Sequence, residues 1–358
     1  MELPIYAVIM AGGSGTRFWP KSRHRLPKQL INFMGNGTLI RATLNRLEGL
    51  VQPDRVVVVT GKRHAHHIRR QLPEIPARNI LVEPVGRNTA ACLCLAAKWI
   101  QKQAAGEFIM LAMPADHLIQ DTARFQETLR LAAAEAAADD CLVTLGIKPD
   151  HPETGYGYII PGEQLGRAGV YKVKKFTEKP NRVQAQEMIA RDNALWNSGI
   201  FIWRGTVIDR AFAEHLPETY AALDSILPRL GTHRQGHALR QVYPGLPDIS
   251  IDYAVMEKHP CVKVIEAGFD WNDIGSWTAL SKIFARDEQG NACMGEHIGL
   301  DSRQLVVYSP DKLVVTIGLD NVIIVDTKDA LLICRQDRAQ DVKLMQQLLK
   351  QKGLDKYL

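Results

Sequence analysis

The 358-residue chain contains no apolar run near the roughly 20 residues that a bilayer-spanning helix requires, so no membrane partner is expected. Its first residues lack a basic stretch followed by an apolar one, so no secretory leader is expected and the expected location is cytoplasmic. Charge of one sign is scarce. The 44 Lys and Arg residues against 39 Asp and Glu leave a formal +5, and several of the positive charges fall in the first thirty residues. That distribution favours a local anion site over a nucleic-acid-binding surface, so no nucleic-acid partner is expected. Cysteine is sparse and scattered, at Cys92, Cys94, Cys141, Cys261, Cys293 and Cys334. The Cys92-x-Cys94 pair lies in an alanine-rich helical stretch and has no zinc spacing, so buried reduced thiols are expected.

Several signatures are also missing. A Walker A loop needs Gly-x-x-x-x-Gly-Lys-Ser/Thr, but Thr16 follows Gly15 and the segment has no Gly-Lys pair. A dinucleotide fingerprint needs a third glycine where Phe18 stands, and a helix running on from the turn, whereas Pro20 and Pro27 break this segment. No Gly-x-Ser-x-Gly elbow marks a nucleophilic serine. His64, His66 and His67 sit among the charges of residues 62–70 and read as a solvated helix face rather than as metal ligands.

What is present is a glycine turn joined to cations. The apolar run Tyr6-Ala7-Val8-Ile9-Met10 reads as a buried strand delivering Gly12-Gly13-Ser14-Gly15-Thr16-Arg17 to a sheet edge. Glycines there let the backbone take positive φ and approach a ligand closely. Successive N–H groups in such a turn form an anion-binding concavity. Arg17 adds a planar fork of donors suited to two phosphate oxygens, and Lys28, in Pro27-Lys28-Gln29, a compact mobile charge. Taken alone, the same loop is also compatible with a glycine-rich turn carrying surface charges.

Strand and helix patterns alternate through the first two-thirds. Strand candidates Arg55–Thr60, Ile80–Glu83, Phe108–Ala112 and Leu142–Leu145 flank a helical stretch opened by Asn88 as N-cap. A second helical stretch has Phe125, Leu129, Ala132 and Ala136 at helical spacing. This βαβ pattern predicts a mainly parallel sheet covered on both faces, with ligands at the carboxyl ends of the strands. From Gly155 the segments become strand-rich. After Trp277, short strands at nearly regular spacing suggest a small β-solenoid or sandwich, closed by a helix over 339–352 with Val342, Met345, Leu348 and Leu349 on one face. Two domains are expected, residues 1–285 and 286–358.

Asp116 follows the apolar run 108–113 through Pro114-Ala115, and Asp273 sits in the compact turn Trp271-Asn272-Asp273-Ile274-Gly275-Ser276-Trp277. If both face a cleft they make a hard oxygen site for a magnesium ion; each taken alone could be a turn or cap residue. Lys179, in Phe176-Thr177-Glu178-Lys179-Pro180, can anchor a second phosphate, with Glu178 accepting hydrogen bonds from sugar hydroxyls and Asn197 adding an amide. It can equally be one more exposed lysine. Glu83-Pro84-Val85-Gly86-Arg87-Asn88-Thr89 is a strand end, turn and helix start in which Arg87 and the helix N-terminus suit anions, and it is equally compatible with an ordinary βα loop and a capped helix.

Taken in this order, the glycine loop with Pro27-Lys28-Gln29, the Glu83 to Ala90 segment, Pro114-Ala115-Asp116-His117, Phe176 to Pro180, Trp196-Asn197-Ser198-Gly199-Ile200-Phe201 and Trp271 to Trp277 resemble the sugar-phosphate nucleotidyltransferases. The Arg-Asn-Thr-Ala and Trp-Asn-Ser-Gly segments make the resemblance closer to the mannose-1-phosphate guanylyltransferases. The resemblance implies an α/β, Rossmann-like nucleotidyltransferase domain with a mainly parallel mixed sheet over 1–285. It also implies a small β-rich domain, similar to a left-handed β-helix, over 286–358. Arg17 and Lys28 would hold the triphosphate and the charge at the α-phosphorus, Lys179 the sugar phosphate, and Asp116 and Asp273 the Mg2+. Gly157, Glu178 and Asn197 would contact the sugar. Gly12, Gly13, Ser14, Gly15 and Thr16 with Glu83, Arg87, Asn88 and Thr89 would form the nucleotide pocket.

The implied partners are GTP and mannose 1-phosphate, and the implied assembly is a homodimer. Longer members add a cupin-like domain with phosphomannose isomerase activity that this sequence does not show, so a single activity is expected. Another sugar 1-phosphate with another nucleotide would keep the same motifs, because base choice depends on pocket geometry; a non-catalytic nucleotide-sensing homologue fits them less well, since all five catalytic candidates, Arg17, Lys28, Asp116, Lys179 and Asp273, are present.

Overall fold

The structure, a computed structural model, describes residues 3–13, 15–33, 35 and 37–358. The chain divides into two compact units: Met1–Gly12, Thr43–Ala115 and Ile119–Trp271 form the first, and Gly13–Ala42, Asp116–Leu118 and Asn272–Leu358 the second.

The first unit holds a nine-stranded sheet. Its strands are β1 (Ile5–Ala11), β2 (Val56–Gly61), β3 (Ile80–Glu83), β4 (Ile109–Pro114), β5 (Leu142–Ile147), β6 (Gly157–Gln164), β7 (Val170–Glu178), β8 (Leu195–Arg204) and β9 (Val262–Glu266), in the order β3-β2-β1-β4-β8-β5-β9-β7-β6. The half β3-β2-β1-β4 is parallel throughout, as the βαβ reading predicts. β8 enters antiparallel between β4 and β5, β6 and β7 form an antiparallel pair, and β5 and β9 are again parallel. β4 is buried along Ile109–Met113, the mark of a strand covered on both faces.

One face packs Val8, Val57, Val59, Met110 and Ala112 in a single core with the helix Asn88–Gln103. The helix Thr122–Ala138 lies against β4, β5 and β8 and buries Phe125, Leu129, Ala132 and Ala136, the four residues whose spacing predicts it. Burying a side chain such as Phe125 contributes roughly 1.5–3 kcal/mol. The sequence pattern does not anticipate strand β9.

In the second unit β10 (Ala292–Met294), β12 (Val306–Tyr308) and β14 (Val322–Asp326) stack in parallel, β11 (His297–Leu300) pairs in parallel with β13 (Val314–Ile317), and β15 (Leu331–Arg335) closes on β14 antiparallel. This is a β-helix-like tail. Its core includes Val306, Tyr308, Ile323 and Val325 together with Ile274, Trp277 and Leu280 and with Phe18, Trp19, Ile31, Phe33 and Leu39 from the glycine-loop segment. That shared core is why the compact units interleave along the chain, whereas the boundary expected at 285/286 is a single cut. The closing helix runs Val342–Gln351. Of the apolar face expected on it, Val342 is buried while Met345 and Leu348 remain exposed at 40% each.

Cys92 and Cys94 are buried free thiols, as expected. Cys141 and Cys261, for which the sequence implies no pairing, form a disulfide. The two residues immediately precede β5 and β9, whose parallel register sets Leu142 beside Val262 and brings the cysteine Cα atoms to 4.8 Å across 120 residues. A pairing made by an unanticipated strand leaves no trace in local sequence.

Candidate active site

In the second unit Gly15 takes φ 60 and caps the short 3-10 turn Thr16–Phe18. Phe18 anchors that turn: its ring stands 5.0 Å from Phe33 and 5.2 Å from Trp277, and the indole N–H of Trp277 donates to the Trp19 carbonyl at 3.0 Å. Lys28 opens a second 3-10 turn after Pro27 and is itself buried. Its Nζ donates to Asp116 Oδ2 at 2.9 Å and to the Asp273 carbonyl. Burial pushes the Asp116 carboxyl up, but the Lys28 ammonium, His117 and hydrogen bonding outweigh it and hold the group below its ordinary value.

Asp273 sits on a constrained turn. Ile274 adopts φ 43, a conformation a β-branched residue rarely takes, and it is held there by complete burial of its side chain and by donation of its N–H to Asn272 Oδ1 at 2.7 Å. A β-carbon on Gly275 would stand 3.0 Å from Asp273 Oδ2, so glycine leaves room for the carboxylate. Gly15, Thr16, Arg17, Lys28, Asp116 and Asp273 line one cavity of about 320 Å3, with Lys343 of the closing helix. Two carboxylates beside cations form a donor set that fits a hard divalent cation taking its remaining ligands from phosphate and water. Ser14 lies outside the described residues, and Gly13 is an exposed residue of the loop.

The other predicted residues belong to the first unit and fall into two clusters. Glu83 ends β3 and is buried, and Tyr243 donates its hydroxyl to Glu83 Oε1 at 2.5 Å. Burial raises the Glu83 carboxyl, the hydrogen bond from Tyr243 offsetting part of the effect. A β-carbon on Gly12 would lie 3.7 Å from Glu83 Oε2, so the two are close neighbours. Arg87 donates to the Pro244 carbonyl and so anchors its own loop. Asn88 is not the N-cap expected. It takes φ 58 as the first residue of the helix, Arg87 occupies the cap position, and Asn88 Oδ1 accepts from the Thr89 N–H at 3.0 Å. Thr89 Oγ1 accepts from the Ile251 N–H at 2.8 Å.

In the second cluster Lys179 follows β7 at φ 48, which costs roughly 1–3 kcal/mol for a residue with a β-carbon. Pro180 follows, and Asn181 with Gln184 forms a capping box that starts the helix Arg182–Asp192, so the chain on both sides fixes this strained position. Lys179 Nζ pairs with Glu178 Oε1 at 2.7 Å. Gly157 is paired with Glu178 in register, and a β-carbon there would stand 2.4 Å from Glu178 Oε2. The Asn197 carbonyl oxygen accepts from Thr144 Oγ1 and the Gly199 N–H, both at 3.2 Å, while its amide donates to Asp252 Oδ1 at 2.8 Å.

Sequence reasoning missed Asp252. It opens a π-helical turn, Asp252–Met256, in the segment that also holds Thr89 through Ile251. Burial and the Glu178 charge push its carboxyl up to about 6. The available signal was a lone acid in the otherwise hydrophobic run Ile251 to Met256.

Comparison with known proteins also finds two parts. Residues 6–290 match the family described as Nucleotidyl transferase, and residues 295–349 match the MannoseP isomerase/GMP-like beta-helix domain. A mannose-1-phosphate guanylyltransferase of Klebsiella pneumoniae is 37% identical over 356 residues, covering 98% of this chain and 75% of that protein. The alginate biosynthesis protein AlgA of Pseudomonas syringae pv. tomato is 38% identical over 356 residues, 97% of this chain and 72% of that protein. A crystal structure from Thermus thermophilus, described as a mannose-1-phosphate geranyltransferase, is similar with a TM-score of 0.88 and 36% identity, covering 98% of this chain and all of that one.

Proposed function

The chain belongs to the nucleotidyl transferase family and, within it, to the mannose-1-phosphate guanylyltransferases, and from that premise we propose that it transfers a guanylyl group from GTP to mannose 1-phosphate, releasing pyrophosphate. The observation that carries the residue assignment is the cavity in which Arg17, Lys28, Asp116 and Asp273 converge on the glycine loop. A phosphate oxygen of mannose 1-phosphate attacks the α-phosphorus of GTP, the bond from the α-phosphorus to the bridging oxygen breaks in line, and that oxygen leaves on pyrophosphate.

The nucleophile is already ionised at neutral pH, so the barrier lies in bringing two polyanions together rather than in removing a proton. Fixed cations and backbone N–H groups suit that task. Arg17 and Lys28 hold the triphosphate, and Lys28, braced by Asp116, keeps its charge where negative charge accumulates. Asp116 and Asp273 would hold Mg2+, which when bound would neutralise phosphate charge and orient the reacting groups. Lys179 binds the sugar phosphate, Glu178 and Asn197 the sugar hydroxyls, and Gly157 provides the space that the Glu178 carboxylate occupies. Gly13, Gly15 and Thr16 of the glycine loop are assigned to the nucleotide phosphates, and Gly12, Glu83, Arg87, Asn88 and Thr89 of the first unit to nucleotide binding.

The reading extends to a homodimer in the cytoplasm, where nucleoside triphosphates are held. Dimerisation is supported by Ile298, Leu300, Val315 and Ile317, which sit opposite one another on β11 and β13 and are each more than 60% exposed. No helix among the described residues is long and apolar enough to cross a membrane.

The test is pyrophosphate release from each common nucleoside triphosphate with Mg2+ and either mannose 1-phosphate or glucose 1-phosphate, with the sugar nucleotide identified by mass. Release with GTP and mannose 1-phosphate well above every other pair is expected. A preference for another pair overturns the specificity, and release with none overturns the activity.

A further inference from the structure

Lys343 lies on the closing helix, outside the glycine-loop, strand-end and turn motifs named from the sequence, yet it lines the same cavity as Gly15, Arg17, Lys28, Asp116 and Asp273. Three positions on, Gln346 donates its side-chain amide to the Thr16 carbonyl at 3.2 Å. Residues three apart share a helix face, so this bond turns the Lys343 face toward the glycine loop. Lys343 is exposed and has no hydrogen-bond or ion-pair partner among the described residues, and the same is true of Arg17. Lys28 differs, since it is already engaged by the Asp116 carboxylate and the Asp273 carbonyl.

The cavity therefore contains two kinds of cation. Lys28 is neutralised and fixed beside the carboxylates, while Arg17 and Lys343 carry uncompensated charge at the cavity wall. A free ammonium on a flexible stem suits a terminal phosphate as a point charge, whereas the fork of Arg17 suits two oxygens at once.

We propose that Lys343 is a binding residue for the pyrophosphate portion of the nucleotide, so that the C-terminal helix completes the triphosphate site. The inference rests on the guanylyltransferase reading and deepens it. It assigns the β- and γ-phosphates, and pyrophosphate in the reverse direction, to Arg17 and Lys343, and leaves the α-phosphate to Lys28 and to the cation that Asp116 and Asp273 would hold. Gln346 acts as a positioning residue that ties the helix to the loop.

The test compares the full-length wild-type protein with Lys343→Ala and Lys343→Arg, in both reaction directions and by calorimetric titration with magnesium pyrophosphate. Losing one charged phosphate contact at an exposed position predicts about a tenfold rise in the KM for GTP and in the KM and Kd for pyrophosphate. The KM for mannose 1-phosphate stays within about twofold, and Lys343→Arg recovers most of the loss, a split that removal of a purely structural residue would not produce. A Lys343→Ala protein whose pyrophosphate Kd and GTP KM both stay within about twofold of wild type overturns the proposal.

The titration needs neither sugar nor turnover, so it separates the two readings. Wild-type protein that binds pyrophosphate through Lys343 but turns over no guanylyl transfer leaves this assignment standing and overturns the substrate. Wild-type protein that binds no pyrophosphate overturns both.

Discussion

Gly15 and Lys28 are packed so closely that a β-carbon on Gly15 would stand 2.4 Å from the Lys28 β-carbon and 2.8 Å from its backbone nitrogen. Because the obstruction includes backbone, rotation of a side chain cannot relieve it, and φ 60 adds a further roughly 1–2 kcal/mol for any residue with a β-carbon. Gly15→Ala is expected to push the Lys28 turn away from Asp116 and lower kcat by about a hundredfold or more, the range seen when a charge-stabilising group is displaced. A folded Gly15→Ala protein with near-normal kcat would show that the loop and Lys28 are not coupled.

Asp273→Asn keeps the shape of the turn while removing the charge proposed to hold Mg2+. The strained Ile274 and the space left by Gly275 are retained, so the melting temperature should change little. Turnover at saturating magnesium should fall by about two to three orders of magnitude, the scale of losing a transition-state electrostatic contact. Thermal melting and steady-state rates on the same preparation check both halves. Unimpaired turnover removes Asp273 from the metal site.

The Asp252 carboxyl gives the cluster it forms with Asn197 and Glu178 a pH dependence of definite sign. Its folded pKa is raised, to about 6 from an ordinary 3.8, so the ionised form is disfavoured in the native state. The resulting destabilisation is fully present above about pH 6, and it is relieved as pH falls from there toward the unfolded value. At 1.36 kcal/mol per unit the shift corresponds to a penalty on the order of 3 kcal/mol at pH 7.5. Asp252→Asn removes the titrating charge and can still accept from the Asn197 amide. It should therefore raise the melting temperature at pH 7.5, with the gain shrinking by pH 5. If the Asp252 carboxylate also holds Asn197 in place for the sugar, the wild-type KM for mannose 1-phosphate should rise below pH 6, and the variant should lose that inflection. A stability difference that is flat across this range would contradict the assignment.

The parts of the protein legible from sequence are those in which neighbouring residues carry the whole signal. The glycine loop with Arg17 and Lys28 is one such segment, as are the strand-end acid Asp116 and the Glu178-Lys179-Pro180 turn. The helix Thr122–Ala138 is legible because its four buried residues recur at helical spacing. What escaped depends on pairing at a distance. Val262–Glu266 is a five-residue stretch interrupted by Lys263 whose meaning comes from lying parallel to β5, and the Cys141–Cys261 pair follows from that register. Asp252 looks like an ordinary turn acid until Asn197 is brought beside it, and Lys343 looks like one of several surface lysines on an amphipathic helix. Asn88 misled for a local reason: an asparagine tolerates positive φ as readily as it caps a helix, and here it does the former.

The apolar strip on the β-helix-like tail supplies the last prediction. Ile298 faces Val315 and Leu300 faces Ile317 across β11 and β13, and the four are 62, 61, 61 and 69% exposed, in chain order Ile298, Leu300, Val315 and Ile317. Cross-strand pairs of this kind normally stabilise a sheet by facing a core, and no such cover is provided by the described residues of the tail. A second copy laying the same strip against it would bury both. Replacing Ile298 and Val315 together by lysine puts two charges into that strip without touching the buried residues Val306, Tyr308, Ile323 and Val325. Sedimentation at micromolar concentration should show a dimer for the wild type and a monomer for Ile298→Lys/Val315→Lys, at similar helix and strand content. A wild-type monomer, or a double variant that stays dimeric, would exclude this face as the interface.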